Sequence, residues 1–268
     1  MNNTFDFNRF SLLLKRELWS GNKKPLIVAG ASFGFLMLYA LFMIYNDGPA
    51  YRWLNWNVFP IVLFGGGFIF TSTIFYEFNN KTGTHHYLSL PASTFEKFLS
   101  KWLITTIIFP IIVIILFFIY VAICDSIYIE LMMNTLGATE LRVNNYYTPW
   151  KLTDWWSIFF LKLYFVLQSI YLVGAIAFQK YTFFKTSLSL WLFGVASAMI
   201  FVVLLRVIFN EFFESLFQPR TDVYWNTSDE VHHFMENTFQ PMLINACWLL
   251  VAPTIWTVGF FKLKEKEA

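Results

Sequence analysis

The sequence predicts an all-α, polytopic membrane protein in which residues 1–268 form a single transmembrane domain. Its composition supports this, since 57% of the residues are hydrophobic and only 13% are charged, against roughly 25% charged in soluble domains. Six mainly apolar runs are each about 20 residues long, the length that a helix needs to cross about 30 Å of hydrocarbon. None of the runs alternates with a period of two residues, so helices are expected and not the strands of a barrel.

The first predicted element is an amphipathic helix over residues 5–20, before any apolar run begins. Its apolar residues recur at helical spacing, while Arg9, Lys15 and Arg16 lie toward the other side. Such a helix is expected to lie in the membrane interface and not to cross it. Anchoring to anionic lipid headgroups and docking of a cytoplasmic partner both fit this pattern. The polar start MNNTFDFNRF also argues against a cleaved signal peptide.

Six transmembrane helices are expected next, and the basic residues indicate their orientation. Of the 19 lysines and arginines, thirteen lie in inner segments, four in outer segments and two inside spans if the N-terminus is cytoplasmic. This positive-inside bias predicts a multi-pass protein of the plasma membrane, the inner membrane in a bacterium, with both termini cytoplasmic. The predicted spans cover about residues 26–45, 58–76, 103–124, 157–178, 187–209 and 239–261, and the outer segments are residues 125–156 and 210–238.

Two basic residues, Lys162 and Arg206, lie inside predicted spans, where a charge is costly and often functional. Both are close to the outer end of their span, so their long side chains can reach the headgroups. The other interpretation is that they bind an anionic substrate or partner.

Small residues at a four-residue spacing predict close helix packing in two of the spans. Gly30 and Gly34 form one such pair in span one, and Gly194 and Ala198 form another in span five. Packing within one subunit explains both pairs, and so does a homodimer seam through spans one and five. Three consecutive glycines, residues 65–67, open a flat patch in span two.

The connection between spans two and three is polar, yet it carries strong helix signals. Gly83 and Thr84 predict the start of a short helix with Thr84 as its N-cap, and Pro91 must end it. Ser93 and Glu96 have the spacing of a capping box. The capping box is expected to open a second helix that runs without interruption into span three. A push on the short helix would then move span three as a lever.

This connection also contains a recognisable series of motifs. An acidic end to span two is followed by a basic-Gly-Thr turn, a Pro-x-Ser step and a lysine that enters span three; these are Glu77, Lys81-Thr82-Gly83-Thr84, Leu88, Leu90-Pro91-Ala92-Ser93 and Lys101. In these residues, and in its six-span layout with an interfacial N-terminal helix, the chain resembles the membrane subunits of ATP-binding-cassette exporters of the type 2 class.

The resemblance implies a coupling helix, His85 to Leu90, seated in a cleft of a separate, soluble ATP-binding-cassette ATPase subunit. It also implies a second permease subunit in the bilayer, either another copy or a similar chain. ATP and Mg would be bound by the ATPase, and this chain would hold no cofactor of its own. The residues expected to take part in coupling are Glu77, Gly83, Thr84, His85, His86, Tyr87, Leu88, Leu90, Pro91, Ser93, Glu96 and Lys101.

Sequence motifs for catalysis or metal binding are not found in the chain. It contains no GxxxxGK[ST] phosphate loop, no HExxH and no GxSxG, so no catalytic residue is predicted. The adjacent His85 and His86 would diverge by about 100° on a helix, so a metal site is not expected. The net charge of +2 gives no reason to expect nucleic acid as a partner.

The expected function is therefore that of a permease subunit, which couples ATP hydrolysis on its partner to movement of a lipid, peptide or polysaccharide-like substrate. These cargoes all stay open, because exporters of different cargoes share this layout. The alternative is a non-transporting membrane scaffold or sensor subunit of an envelope machine, with its acidic outer segments as the contact surface. An intramembrane enzyme would need a catalytic constellation that the sequence lacks.

Overall fold

The computed structural model describes residues 5–19, 23–47, 57–136, 152–178, 180–208 and 240–267, and every regular element in these ranges is helical. The all-α prediction is therefore confirmed for the described chain. The helices are α1 (Phe7–Trp19), α2 (Lys23–Asp47), α3 (Asn57–Thr73), α4 (Lys81–Leu88), α5 (Thr94–Leu103), α6 (Phe109–Leu136), α7 (Trp155–Ala177), α8 (Thr182–Ile208) and α9 (Gln240–Glu267).

Two π-helical turns and one 3₁₀ turn complete the described elements. The first π turn, Val62–Gly66, lies inside α3, and the second, Ile104–Ile108, joins α5 to α6 in one continuous helical stretch. The second π turn ends two residues before Pro110. In an ordinary α-helix the ring of this proline would clash with the carbonyl group four residues earlier, and the wider π turn relieves that clash. The 3₁₀ turn Tyr76–Asn79 leads from α3 to α4.

Three stretches of helix are long and apolar enough to cross a membrane. They are Thr94–Leu131, Trp155–Ala177 and Thr182–Leu204, and they contain most of predicted spans three, four and five. Helices also form over the other three predicted spans, as α2, α3 and α9. The chain is thus an all-helical protein with three helices suited to a membrane, and the six-span topology stays a prediction.

The first predicted outer segment, residues 125–156, begins with residues that are helical in the structure. Helix α6 continues to Leu136, twelve residues beyond the predicted end of span three, because Asp125 and Tyr128 remain buried against the bundle. Residues 137–151 and 209–239 lie outside the described part of the chain, as do the acidic residues of the second outer segment.

Helix α7 is the centre of the bundle. It packs most extensively against α9 and also contacts α3 and α8. Two glycines permit these close approaches. One of them, on α3, belongs to the flat patch that the sequence predicts at residues 65–67. A Cβ atom on Gly67 would lie 2.4 Å from the ring of Tyr164, and one on Gly174 would lie 2.1 Å from Oγ1 of Thr186.

The apolar core divides into two clusters at different heights. One cluster joins α2, α3, α6 and α7 around Leu63, Phe117 and Tyr164. The other lies beneath α4 and joins it to α5, α7 and α9 around Phe78, Tyr87 and Leu172. The second cluster is what positions the short helix α4 against the bundle.

The predicted packing pairs do not make close contacts within this chain where the structure describes them. Among the described residues, no atom lies within 4 Å of a Cβ built on Gly34 or on Gly194, and Ala198 is exposed. The surroundings of Gly30 lie outside the description. Packing within one subunit and a homodimer seam therefore both stay predictions for Gly34 and Gly194.

Candidate functional site

Helix α4 begins one turn earlier than the sequence predicts. It starts at Lys81 after the extended residue Asn80, so Thr84 lies inside the helix and is not its N-cap. Both the backbone N–H and the hydroxyl of Thr84 donate to the carbonyl of Asn80, at 2.9 and 3.0 Å. Gly83 packs closely on the preceding 3₁₀ turn, because a Cβ there would lie only 2.6 Å from the carbonyl oxygen of Glu77.

The end of α4 also differs from the predicted range of His85 to Leu90. The helix ends at Leu88, and Ser89 caps it by donating its backbone N–H to the carbonyl of His85 at 2.9 Å. Leu90 and Pro91 lie in the turn that follows. Pro91 thus separates α4 from α5, as predicted.

The two faces of α4 have different surroundings. The inward face carries Tyr87, which is 1% exposed and lies edge-on to Phe75 and Phe78. Its hydroxyl donates to the carbonyl of Lys97 at 3.4 Å. The outward face is polar and exposed, and it consists of Lys81, Thr82, His85, His86 and Ser89. Tyr87 therefore fastens α4 to the protein, while this outward face is open to a partner.

The capping box at the start of α5 is confirmed. Ser93 Oγ accepts the backbone N–H of Glu96 at 3.2 Å, and the Glu96 carboxylate accepts the backbone N–H of Ser93 at 2.8 Å. The same carboxylate accepts two further donors from the N-terminus. Arg9 binds it in a bidentate manner at 2.8 and 2.7 Å, and the backbone N–H of Asp6 donates to it at 2.8 Å.

The charge of Glu96 is well stabilised although its side chain is fully buried. Glu96 lies outside predicted span three, which begins at Leu103. Burial alone would raise the pKa of Glu96, but the hydrogen bonds from Arg9, Asp6 and Ser93 outweigh it and lower that pKa to about 2. The ion pair between α1 and α5 therefore persists well below neutral pH.

A second ion pair joins the same two helices one turn further along. The Lys101 side chain is 1% exposed, and its ammonium donates to Glu17 on α1 and, at 3.1 Å, to Glu77 in the 3₁₀ turn. The ammonium also lies 5.3 Å from the centre of the Tyr87 ring. Lys101 thus contacts α1, the 3₁₀ turn and α4 at once.

These groups form what we call the ionic cluster, which consists of Arg9, Glu17, Glu77, Glu96 and Lys101. It contains three predicted site residues, Glu77, Glu96 and Lys101, and two that the sequence did not identify. Arg9 and Glu17 lie more than 80 residues away in the chain from their partners, so only their place on the polar side of α1 pointed to them.

Helix α1 forms within the predicted range of residues 5–20, and it docks on the protein itself. Phe10 and Leu13 are buried, whereas Phe7 and Leu18 are exposed. The predicted apolar stripe is therefore divided between α5, which α1 contacts along its length, and the outside. The exposed part is the part available to a membrane interface.

The other predicted contact residues lie away from the ionic cluster. Lys162 on α7 donates to the side-chain oxygen of Asn245 on α9 at 2.6 Å, and Arg206 on α8 is exposed. No contact joins Lys162 to Arg206 in the described chain. Among the described residues no group of three His, Cys, Asp or Glu could hold a metal ion, and the pair His232-His233 lies outside them.

Comparison of the chain with protein-family models, with curated proteins and with solved structures gave no match. The function must therefore be argued from the site. Chemically, the five residues of the ionic cluster do not form a metal site, and no nucleophile is paired with a base among them. Mechanically, it joins an exposed short helix to the start of a helical stretch that continues over Thr94–Leu131.

Proposed function

We propose that the chain is the permease subunit of an ATP-driven, ATP-binding-cassette exporter, with α4 as the helix that receives the motion of a separate ATPase. The observation that carries this is the combination of an exposed polar face on α4 with a buried attachment through Tyr87 and Lys101.

The proposed membrane arrangement has six spans, both termini in the cytoplasm and the ionic cluster at the cytoplasmic side. The three apolar helices and the positive-inside distribution of charge support it. In this arrangement α4 and the outward face of α1 lie at the cytoplasmic surface, and α5 enters the bilayer directly from the ionic cluster.

The proposed mechanism uses the ionic cluster as a rigid connection. When ATP closes the partner subunits, a push on α4 acts on Tyr87 and Lys101 and moves α5 together with α1. The partner ATPase binds ATP and Mg, and the push occurs because ATP binds the closed arrangement better than the open one. Movement of α5 and α6 relative to α7 would open a path for a lipid, peptide or polysaccharide-like cargo.

The test is whether an ATPase subunit binds the outward face of α4. The tagged full chain is purified in mild detergent, and co-purifying proteins are identified by mass spectrometry and assayed for ATP hydrolysis. We expect a stoichiometric ATPase with the unmodified chain and its loss in the double variant His85→Asp and His86→Asp, because both side chains are exposed.

The matched control introduces two acidic residues elsewhere on the predicted cytoplasmic side of the membrane. Lys180→Asp and Tyr181→Asp change exposed residues between α7 and α8, and the ATPase should remain bound. Retention of the ATPase by the His85 and His86 double variant would contradict the role of α4. A folded chain that never co-purifies with an ATPase would favour the non-transporting scaffold or sensor.

A further inference from the structure

The side chains of Lys162 and Asn245 meet where α7 packs against α9, the most extensive contact between described helices. An ammonium group has three N–H donors and carries a full positive charge. The contact with Asn245 uses one donor and neutralises no charge, because the acceptor is a neutral amide oxygen. In the described chain Lys162 forms no ion pair, whereas Lys101 forms two.

The two residues lie at a similar depth from the same end of the bundle. Lys162 is seven residues into α7 and Asn245 is five residues into α9, which places them about 10 Å and about 8 Å along their helices. Both helices run inward from the predicted outer surface. A charge at that depth in a bilayer is unfavourable unless its side chain extends to the headgroup level or meets a group of opposite charge.

Aromatic residues line the same face of α7 above the lysine. Trp155 and Phe159 precede Lys162 by seven and three residues, so the three share one helix face. Their rings are stacked with centroids 5.6 Å apart, and Trp155 is 61% exposed. Tryptophan at this position is typical of the headgroup level of a membrane. The lysine is only half-buried, so a lipid can approach it along this face.

We propose that Lys162 and Asn245 bind a phosphate group, supplied by an anionic phospholipid of the outer leaflet or by free phosphate. The ammonium provides the charge and its remaining donors. Because Oδ1 of Asn245 accepts from Lys162, its Nδ2 group is left to donate to a phosphate oxygen. This proposal rests on the membrane arrangement proposed above, and not on the transport role.

The experiment measures lipid binding to the full chain by native mass spectrometry in mild detergent. Phosphatidylglycerol is the anionic probe, and phosphatidylcholine is the probe without net charge. We expect the unmodified chain to prefer phosphatidylglycerol and Lys162→Gln to lose about tenfold in affinity for it, which corresponds to about 1.4 kcal/mol. Lys162→Arg keeps the charge and should retain the preference.

Asn245→Asp is the most informative variant, because it changes the side chain very little in size. Its carboxylate would pair with Lys162 and repel a phosphate, so lipid preference should fall while the helix contact becomes stronger. Lys264→Gln is the control, since it removes an exposed cation from the opposite end of α9. That variant should keep the preference of the unmodified chain.

An unchanged preference for phosphatidylglycerol in both Lys162→Gln and Asn245→Asp would overturn the proposal. If Lys162→Gln fails to fold, judged by size-exclusion chromatography, the comparison of Asn245→Asp with the unmodified chain decides alone. Competition by inorganic phosphate identifies the source: displacement of the lipid supports a site that accepts the free anion, and persistence of the lipid supports a lipid site. Binding of the ATPase does not enter this measurement, so the two proposals fail separately.

Discussion

At the scale of single residues, Lys101 on α5 contacts three other elements, which are α1, the 3₁₀ turn and α4. Its side chain is buried, and its ammonium binds Glu17 and Glu77 and lies beside Tyr87. A buried ammonium is stable only with such partners, because removal from water costs several kcal/mol. Lys101 therefore stabilises the ionic cluster only while α1 and the 3₁₀ turn both stay in place. The docking of these two elements on α5 is thus cooperative.

Replacing Lys101 should destabilise the protein strongly. Lys101→Met keeps the length of the side chain but leaves two carboxylates facing one another without a cation. We expect a loss of about 3 kcal/mol in the free energy of unfolding, the usual cost of breaking a buried ion pair. Chemical unfolding in detergent measures this. Lys264→Met changes an exposed lysine and should stay within about 0.5 kcal/mol of the unmodified chain; equal effects of the two variants would contradict the prediction.

At the scale of elements, the close approach of α4 to the 3₁₀ turn depends on Gly83. A Cβ there would lie 2.6 Å from a backbone oxygen, which cannot move as a flexible side chain can. We expect Gly83→Ala to displace α4 and to cost about 1–3 kcal/mol, as other overpacked sites do. Thermal unfolding and the solvent accessibility of Tyr87 measure the two effects.

A second glycine provides the control for this prediction. No atom of the described chain lies within 4 Å of a Cβ built on Gly65, so Gly65→Ala adds a methyl group that meets none of these atoms. It should leave stability nearly unchanged or raise it by up to about 1 kcal/mol, the helix propensity difference between the two residues. A greater loss for Gly65→Ala than for Gly83→Ala would show that contact distance does not determine the cost.

The elements also show which features the sequence could predict. The capping box of Ser93 and Glu96 was predictable because both partners lie within four residues, and the helices over the apolar runs follow from length and composition. The start of α4 was not predicted, since Thr84 has the side chain of an N-cap yet lies inside the helix. The partners of Glu96 and Lys101 on α1 were equally beyond prediction, because no local pattern joins residues more than 80 positions apart.

At the scale of the whole molecule, the apolar part of α8 lies on the outside of the bundle. None of the 18 residues in its most apolar window is buried, although the window is apolar enough to cross a membrane. Lipid alone can cover such a helix, so exposure does not by itself require a protein partner. The small residues Gly194 and Ala198, however, allow a backbone to approach more closely than lipid needs. The proposed second permease subunit would therefore contact this face.

Cysteine cross-linking between copies can test that seam in membranes. With the native cysteines Cys124 and Cys247 replaced by serine, we expect Gly194→Cys to form a disulfide-linked dimer under mild oxidation, because two such helices pack closely at small residues. Met199→Cys lies on another face of α8 and is also exposed, so it serves as the control. Little dimer should form there, since the seam would turn it away from the second copy.

Comparing the cross-linking of Gly194→Cys with that of Met199→Cys distinguishes a specific dimer seam from random collisions between chains. Equal cross-linking of both cysteines would indicate chains that meet in any orientation, and no cross-linking at either would indicate that lipid covers α8. A third variant, Gly194→Leu, adds bulk at the proposed seam and should lower the dimer fraction in the membrane. It should not unfold the chain, because no atom of the described residues lies within 4 Å of a Cβ at this position. A dimer that tolerates leucine there cannot use this face, and the second permease subunit would then have to bind elsewhere.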